Sequence, residues 1–230
     1  MATNSRTENP AFIRDSGKPG RECPRCPRLV AFRTQWRDRE PGWFNAPVAS
    51  FGPFSARLLI VGLAPGLQGA NRTGRPFTGD YAGDLLYATM VEYGFARGQF
   101  GARVDDSLEL LDARITNAVR CVPPENKPLP AEILTCRSFL EATLAEMPDL
   151  RAGGALGRIA HDAAVTALGA RKSAVKFGHG AANAIGGITL FDSYHCSRYN
   201  TNTGVLTPDM FRSVFAAVRG YVDGGERGAA

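Results

Sequence analysis

The chain has 230 residues, of which 44 % are hydrophobic and 21 % are charged, and it contains 26 glycines and 15 prolines. A chain of this length and composition buries a substantial core, so a disulfide-dependent mini-protein and a low-complexity chain are both excluded. The net charge of +5 comes mostly from arginine, which grips phosphates bidentately and favours nucleic acid as a partner, although charge alone also fits a mildly basic soluble enzyme.

The first half of the chain alternates apolar runs with helical periodicity, which is typical of an α/β sheet with crossover helices. A buried strand is predicted at residues 57–61, and a helix opens at Asp80 and ends at Gly94. A second strand is predicted at 115–120. A proline-rich turn and a helix over 130–147 follow it.

The second half continues this alternation. Residues 155–157 and 187–191 predict further strands, a helix runs to about residue 168, and Thr207 caps a last helix that has Pro208 in its first turn. The conspicuous polar residues gather where strands end and loops begin. Because ligands bind at that edge of open α/β sheets, we expect the functional site there.

The domain organisation is predicted to be simple. Residues 1–20 predict a flexible leader, residues 21–223 one folded domain, and residues 224–230 a flexible tail. The sequence shows neither a strongly apolar run of about 18 residues nor a hydrophobic signal core. We therefore expect a cytoplasmic protein that has no contact with a membrane.

Four of the five cysteines form a pattern. Cys23 and Cys26 have C-x2-C spacing, and Cys121 and Cys136 have C-x14-C spacing. Disulfides are disfavoured in the cytosol, so these pairs indicate metal or redox chemistry, and the spacing does not choose between zinc and an iron–sulfur cluster. Two unrelated thiols beside an incidental CxxC are the alternative. Cys196 lies outside the pattern and is predicted to be a small buried or loop thiol.

Two loops follow the first predicted strand. The turn Gly62, Leu63, Ala64, Pro65, Gly66 matches neither dinucleotide nor P-loop patterns, and it predicts a rigid loop that a flat ligand approaches closely. The run at 71–80 combines arginines, Phe77 and Asp80, a mixture that suits an anionic polymer bearing aromatic bases. The alternative is that Asp80 caps a helix, Phe77 is a core residue and the arginines are solvated.

Two further segments carry candidate polar groups. Asn117 lies within a predicted strand, where asparagine is disfavoured, so its amide is interpreted either as a reader of a ligand edge or as a structural hydrogen-bonding group. His195 follows the strand at 187–191 and precedes a polar loop. His161, in a predicted helix, and His179, in a glycine-rich loop, are assigned no chemistry.

From about Cys23 to Val222, the chain resembles the uracil-DNA glycosylase superfamily, specifically its iron–sulfur branch. The resemblance is carried by GLAPG at 62–66, NRTGRPFTGD at 71–80, TNAVRC with its proline-rich turn, and the segment from His195 to Asn200. Type-4 members carry an acidic residue where this chain has Ala64, so the chain is similar to the type-5 group. One departure is Cys196, which stands where the usual His-Pro-Ser motif has proline.

This resemblance implies a three-layer α/β/α fold with a central, mostly parallel four-stranded sheet. It implies that Cys23, Cys26, Cys121 and Cys136 hold a structural [4Fe-4S] cluster, with zinc as the less favoured alternative. The substrate would be DNA containing uracil or other deaminated bases, including hypoxanthine. We therefore expect a nucleoid-associated monomer that acts in base-excision repair.

The resemblance also suggests roles for individual residues after the damaged base has been flipped out of the duplex. Asp80 would orient water or offset the sugar cation, His195 would stabilise the departing base, and Asn117 would read its edge. Asn200 would hold the water or the DNA backbone, while Phe77 and the loop 62–66 would contact the base. The DNA contacts are assigned to Arg75, Lys127, Ser197, Arg198 and Tyr199.

No lysine is placed to form a Schiff base, so we expect a monofunctional enzyme that leaves an abasic site. Two other classes remain open. A non-catalytic, metal-stabilised damage sensor accommodates the charge and the cysteines but has no need for Asp80, Asn117 and His195 together. An iron–sulfur electron carrier is disfavoured, since that class prefers clustered cysteines.

Overall fold

The computed structural model describes residues 17–224. Residues 1–16 of the predicted leader (1–20) and residues 225–230 of the predicted tail (224–230) therefore lie outside the described residues. Within the remainder, Gly17 is buried beside Thr143, and Gly224 is the last residue of the final helix. The boundaries of the folded domain stay a prediction.

Strands and crossover helices follow one another along the central part of the chain, as the sequence predicts, with a few consecutive helices and strands between them. The 3-10 turn at Pro124–Asn126 is not numbered among the helices. In chain order the elements are α1 (Pro27–Arg39), β1 (Leu58–Gly62), α2 (Ala70–Thr73), α3 (Tyr81–Glu92), β2 (Ala96–Arg97), β3 (Glu109–Leu110), β4 (Ala113–Asn117), α4 (Pro130–Ala145), β5 (Ala152–Leu156), α5 (Arg158–Ala167), β6 (Ala182–Ile185), β7 (Ile188–Ser193), α6 (Arg198–Asn202) and α7 (Pro208–Gly224).

The central sheet has five strands in the order β4-β1-β5-β7-β6. The first four in that order are parallel, and β6 pairs antiparallel with β7. The prediction of a four-stranded sheet is therefore wrong by one edge strand. The sequence of β6, ANAI, gives little strand signal because it lacks the β-branched and aromatic run that marks strands.

Helices cover both faces of the sheet, which confirms the three-layer α/β/α class. Alternate residues of β1 point to opposite faces. Leu58 and Ile60 pack in the cluster that contains α3 and α7, whereas Leu59 and Val61 pack in the cluster that contains α4 and α5. Every residue of β1 is buried, as a central parallel strand requires.

The predicted elements along the first half agree with the structure apart from their ends. The second strand stops at Asn117 rather than at residue 120. Beyond it, the amides of Ala118 and Val119 donate to the carbonyls of Gly62 and Leu63, at 2.9 and 3.0 Å. This segment therefore holds the loop after β1 in place. Within 17–224, no helix combines the length and apolar character that crossing a bilayer requires.

Candidate active site

A cleft of about 580 Å³ opens at the carboxyl ends of β1, β4 and β7. Its size lies within the range of small-molecule sites, roughly 300–1,000 Å³. The structure brings together at this cleft most of the residues that the sequence analysis proposed for base contact and chemistry. Those lining it are Leu63, Ala64, Gly66, Phe77, Asp80, Asn117, His195, Ser197 and Arg198.

The floor of the cleft is formed where β1 and β4 end side by side. The parallel register pairs Gly62 with Asn117. A Cβ at position 62 would collide with Asn117 Oδ1 and lie 2.7 Å from Phe77 Cζ, so only glycine leaves room for both side chains. Asn117 is 3 % exposed, and its Oδ1 has no hydrogen-bond partner within residues 17–224. Since a buried polar atom without a partner is costly, this amide is poised for a ligand.

One wall of the cleft is aromatic. The rings of Phe77 and His195 stack with centroids 5.9 Å apart and planes inclined by 27°. Phe77 is 7 % exposed and has a φ of +51°, a left-handed conformation that is uncommon for a bulky residue. Such strain persists only when surrounding contacts enforce it, and it is often found at ligand sites.

Asp80 occupies the N-cap position of α3 and faces the same cleft. Burial raises the pKa of its carboxyl group, the amide of Ala82 opposes that rise, and the charge of Asp84 adds to it. Its Oδ1 is buried and has no partner in the described part of the chain. The loop after β1 closes tightly over this group, because a Cβ on Gly66 would lie 2.7 Å from Asp80 Oδ2. Asp80 therefore offers a poorly solvated acceptor for a water proton.

His195 follows β7, and a hydrogen bond to its backbone carbonyl holds it in place. The Nδ2 of Asn200 donates to the His195 carbonyl at 2.8 Å. Burial lowers the pKa of the His195 imidazole to about 4. The ring is therefore neutral at neutral pH, with one N–H donor and one bare nitrogen.

Asn200 has a different place from the one predicted. It does not line the cleft, and its side chain binds the His195 backbone. Ser197 caps α6, with its Oγ accepting from the Asn200 amide at 3.4 Å. Asn200 is thus placed to position His195 rather than to hold water.

The rim of the cleft carries exposed cationic and aromatic side chains. Arg198 lines the cleft with its guanidinium carbon 5.3 Å from the centroid of the Tyr81 ring. Tyr199 is 74 % exposed beside it. Lys127 is exposed, and its Nζ lies 3.3 Å from the Glu125 carboxylate. The DNA contacts of these residues stay predictions.

Arg75 is the clearest correction among the predicted DNA contacts. Its side chain is 7 % exposed and forms an ion pair of 2.6 Å with Asp106. Its guanidinium carbon also lies 5.3 Å from the centroid of the Phe51 ring. A buried and paired guanidinium is not available to a phosphate, so the assignment of Arg75 to DNA binding is wrong.

Six cleft residues were missed by the sequence analysis: Gln68, Ala70, Gly79, Tyr81, Ala82 and Asn126. Asn126 belongs to the proline-rich turn and has a φ of +56°. An asparagine in such a turn is a sequence signal for this left-handed conformation. No local pattern marks Gln68 or Tyr81. Gln68 lies in the loop after β1 and Tyr81 begins α3, and only the tertiary fold brings these two segments to the cleft.

The four patterned cysteines meet at a second pocket. Cys23, Cys26, Cys121 and Cys136 all line it, between the start of α1, the segment after β4, and α4. Within residues 17–224, no three His, Cys, Asp or Glu side chains converge as ligands of one metal ion. All four thiols nevertheless line the same pocket.

The electrostatics of this pocket oppose free thiolates. Burial raises the pKa of Cys121 to about 12 and also raises the pKa values of Cys26 and Cys136. Two donors point at sulfur, since Arg33 donates to Cys121 Sγ and the amide of Arg120 donates to Cys136 Sγ, each at 3.3 Å. Burial therefore disfavours the thiolate forms, and the two hydrogen bonds to sulfur offset part of that rise in pKa.

Cys196 lies apart from these four cysteines. It is fully buried, and its thiol donates to the Ala82 carbonyl at 3.4 Å. This confirms the expectation of a small buried thiol. The contact joins the loop after β7 to the first turn of α3, next to Asp80.

We expect the His195 ring to remain neutral well below the pKa of about 6.5 that an exposed histidine shows. Because burial lowers the folded-state pKa to about 4, the unfolded chain binds more protons between these values, and stability should fall as pH drops through that window. NMR titration of the imidazole signals, assigned with His195→Gln, would check this. A midpoint near 6.5 would contradict it.

The comparisons with known proteins agree with this geometry. A family model described as the uracil DNA glycosylase superfamily matches residues 49–219. A type-5 uracil-DNA glycosylase of Thermus thermophilus is 47 % identical over 199 residues, covering 84 % of this chain and 90 % of the relative. Type-5 uracil-DNA glycosylases of Mycobacterium bovis and Pyrobaculum aerophilum are 42 % and 39 % identical, covering 84 % of this chain in each case and 75 % and 85 % of the relatives. The chain therefore belongs to the uracil DNA glycosylase superfamily, and its resemblance to the type-5 group is confirmed.

Proposed function

We propose that this protein is a monofunctional DNA glycosylase that releases uracil, and other deaminated bases such as hypoxanthine, and leaves an abasic site. One observation carries the proposal. The buried, unpartnered Oδ1 of Asn117, the unpartnered Oδ1 of Asp80 and the neutral ring of His195 all line one cleft that is large enough to admit a nucleobase. A module that only binds DNA has no need of this combination.

Recognition begins with flipping of the damaged nucleotide, which costs a few kcal/mol and costs least at a mismatch. The base enters the cleft and stacks on Phe77. The amide of Asn117 offers both an acceptor and a donor to its polar edge. Exposed Arg198 and Tyr199 at the rim would hold the phosphate backbone and fill the vacated space in the stack.

The chemistry is hydrolysis of the N-glycosidic bond. The bonding electrons leave with the base, and positive charge develops on the sugar. His195, being neutral, donates its N–H to a base oxygen and stabilises the departing anion without having to be protonated first. Asp80 stabilises the sugar cation and orients the water that adds to the anomeric carbon, accepting its proton.

The breadth of substrates rests on Ala64. Its methyl group lines the cleft and makes no hydrogen bond that a particular base must satisfy. A site built of hydrogen-bonding groups rejects analogues that leave those groups unpaired, whereas an apolar wall discriminates weakly. An alanine at this position therefore supports acceptance of several deaminated bases.

We further propose that Cys23, Cys26, Cys121 and Cys136 hold a [4Fe-4S] cluster with a structural role. Each iron of such a cluster takes one thiolate, and four thiols line this one pocket. The group would join α1 to α4 and to the segment after β4. In that role it supplies a cross-link and takes no part in bond cleavage.

The first test is single-turnover cleavage of end-labelled duplexes carrying U·G, U·A, hypoxanthine·T or no lesion. We expect base release at the deaminated sites, with strand breaks that appear only after alkali treatment. Breaks without alkali would contradict the monofunctional assignment. Tight binding of lesion duplexes without base release would replace the proposal with a non-catalytic damage sensor.

The roles of Asp80 and His195 can be tested separately. We expect Asp80→Asn to lower the single-turnover rate about 10²–10⁴-fold, because a general base is lost, and His195→Ala to lower it about 10²–10³-fold. Asp84→Asn is the matched control, since Asp84 is exposed on the same helical turn. Folding is checked by thermal melting. Near wild-type rates in both folded variants would contradict these roles.

The cluster proposal predicts about four iron atoms and four sulfides per chain, together with visible charge-transfer absorbance. Cys121→Ser should lose iron and lower the melting temperature, because the cross-link is removed. Cys196→Ser is the control, since that thiol lies at the Ala82 carbonyl outside the pocket, and it should retain iron. One equivalent of zinc in the wild-type protein would overturn the assignment.

A further inference from the structure

We propose that Arg75 and Asp106 form a buried clasp that positions Phe77 for stacking against the flipped base. The inference rests on the proposed function, because it assigns the clasp to the base-contacting residue of that site. It also accounts for an arginine that the sequence analysis placed on DNA and the structure buries.

The clasp begins with the ion pair between loops. Arg75 donates through both terminal nitrogens to the Asp106 carboxylate, at 2.8 and 2.6 Å. Asp106 also accepts from the amides of Gly101 and Leu108. Both side chains are 7 % exposed. The geometry is the bidentate arrangement in which buried guanidinium–carboxylate pairs are strongest.

The other end of the guanidinium reaches the residue after Phe77. Arg75 Nε donates to Thr78 Oγ1 at 2.8 Å, and Thr78 Oγ1 in turn donates to the carbonyl of Pro76 at 3.1 Å. Tyr87 donates its hydroxyl to that same carbonyl at 2.6 Å. The peptide carbonyl before Phe77 and the side chain of the residue after it are therefore both held.

This bracing explains how Phe77 keeps its left-handed backbone. A φ of +51° is unfavourable for phenylalanine and needs contacts that over-determine it. The bracing also sets the ring against Gly62 and 5.9 Å from the His195 ring. Hydrogen bonding to Arg75 lowers the pKa of Asp106 to about 2, so the clasp stays ionised throughout the neutral range.

The clasp inference predicts that binding of a flipped base weakens in the clasp variants while binding of the DNA backbone does not. Asp106→Asn removes the charge partner of Arg75, and Thr78→Val removes the hydroxyl that links Arg75 to Pro76. We expect each variant to bind duplex containing non-cleavable 2′-fluoro-deoxyuridine about tenfold more weakly, since stacking of the flipped base is impaired. Binding of abasic-site duplex should stay within about twofold, because no base enters the cleft.

The matched control is Asp105→Asn. Asp105 belongs to the same loop but pairs on the surface with Arg103, where both side chains are more than half exposed. It should bind both duplexes as the wild type does. Equal weakening of both duplexes in the clasp variants, or wild-type binding of both, would overturn the inference. If Asp106→Asn fails to fold, Thr78→Val decides.

A failure of the clasp is distinguishable from a failure of the proposed function. Suppose that wild-type protein releases uracil, and that Phe77→Ala weakens binding of the uracil analogue while Thr78→Val does not. The proposed function is then supported and the clasp inference is overturned. If wild-type protein shows no base release and no preference for the analogue over abasic duplex, the proposed function itself fails.

Discussion

The site depends on the parallel pairing of β1 with β4, which sets Gly62 directly beside Asn117. That register leaves no space for a side chain at position 62, because the Asn117 amide and the Phe77 ring already occupy it. The pairing continues past the strand ends, where the Ala118 amide donates to the Gly62 carbonyl at 2.9 Å. The loop at 62–66 and the strand end that carries Asn117 therefore form one rigid unit.

The same segment connects the cleft to the cysteine pocket. Four residues beyond Asn117 the chain reaches Cys121, and the amide of Arg120 donates to Cys136 Sγ. The Arg120 side chain is buried and donates to Thr143 Oγ1 at 2.9 Å on α4. A group that cross-links the thiols would thus hold the strand end carrying Asn117 without approaching the reacting atoms.

Burial shifts the pKa values of Asp80 and His195 in opposite directions, because in each case it disfavours the charged form. It raises the pKa of the Asp80 carboxyl and lowers that of the His195 imidazole to about 4. His195 is therefore uncharged at neutral pH and forms no ion pair with Asp80. In the proposed reaction, the free oxygen of Asp80 would face water or the sugar cation, and the N–H of His195 would face the base.

The sequence by itself determined the α/β class, the strand before GLAPG, the helix after Asp80 and the four patterned cysteines, because periodicity, caps and spacing are local properties. Only the tertiary structure decided that Arg75 pairs with Asp106, 31 residues away, and that Asn200 donates to the His195 carbonyl. It also decided that Gln68 reaches the cleft. Whether a polar side chain meets a ligand or another residue depends on what packing brings beside it, and no local pattern records that distant partner.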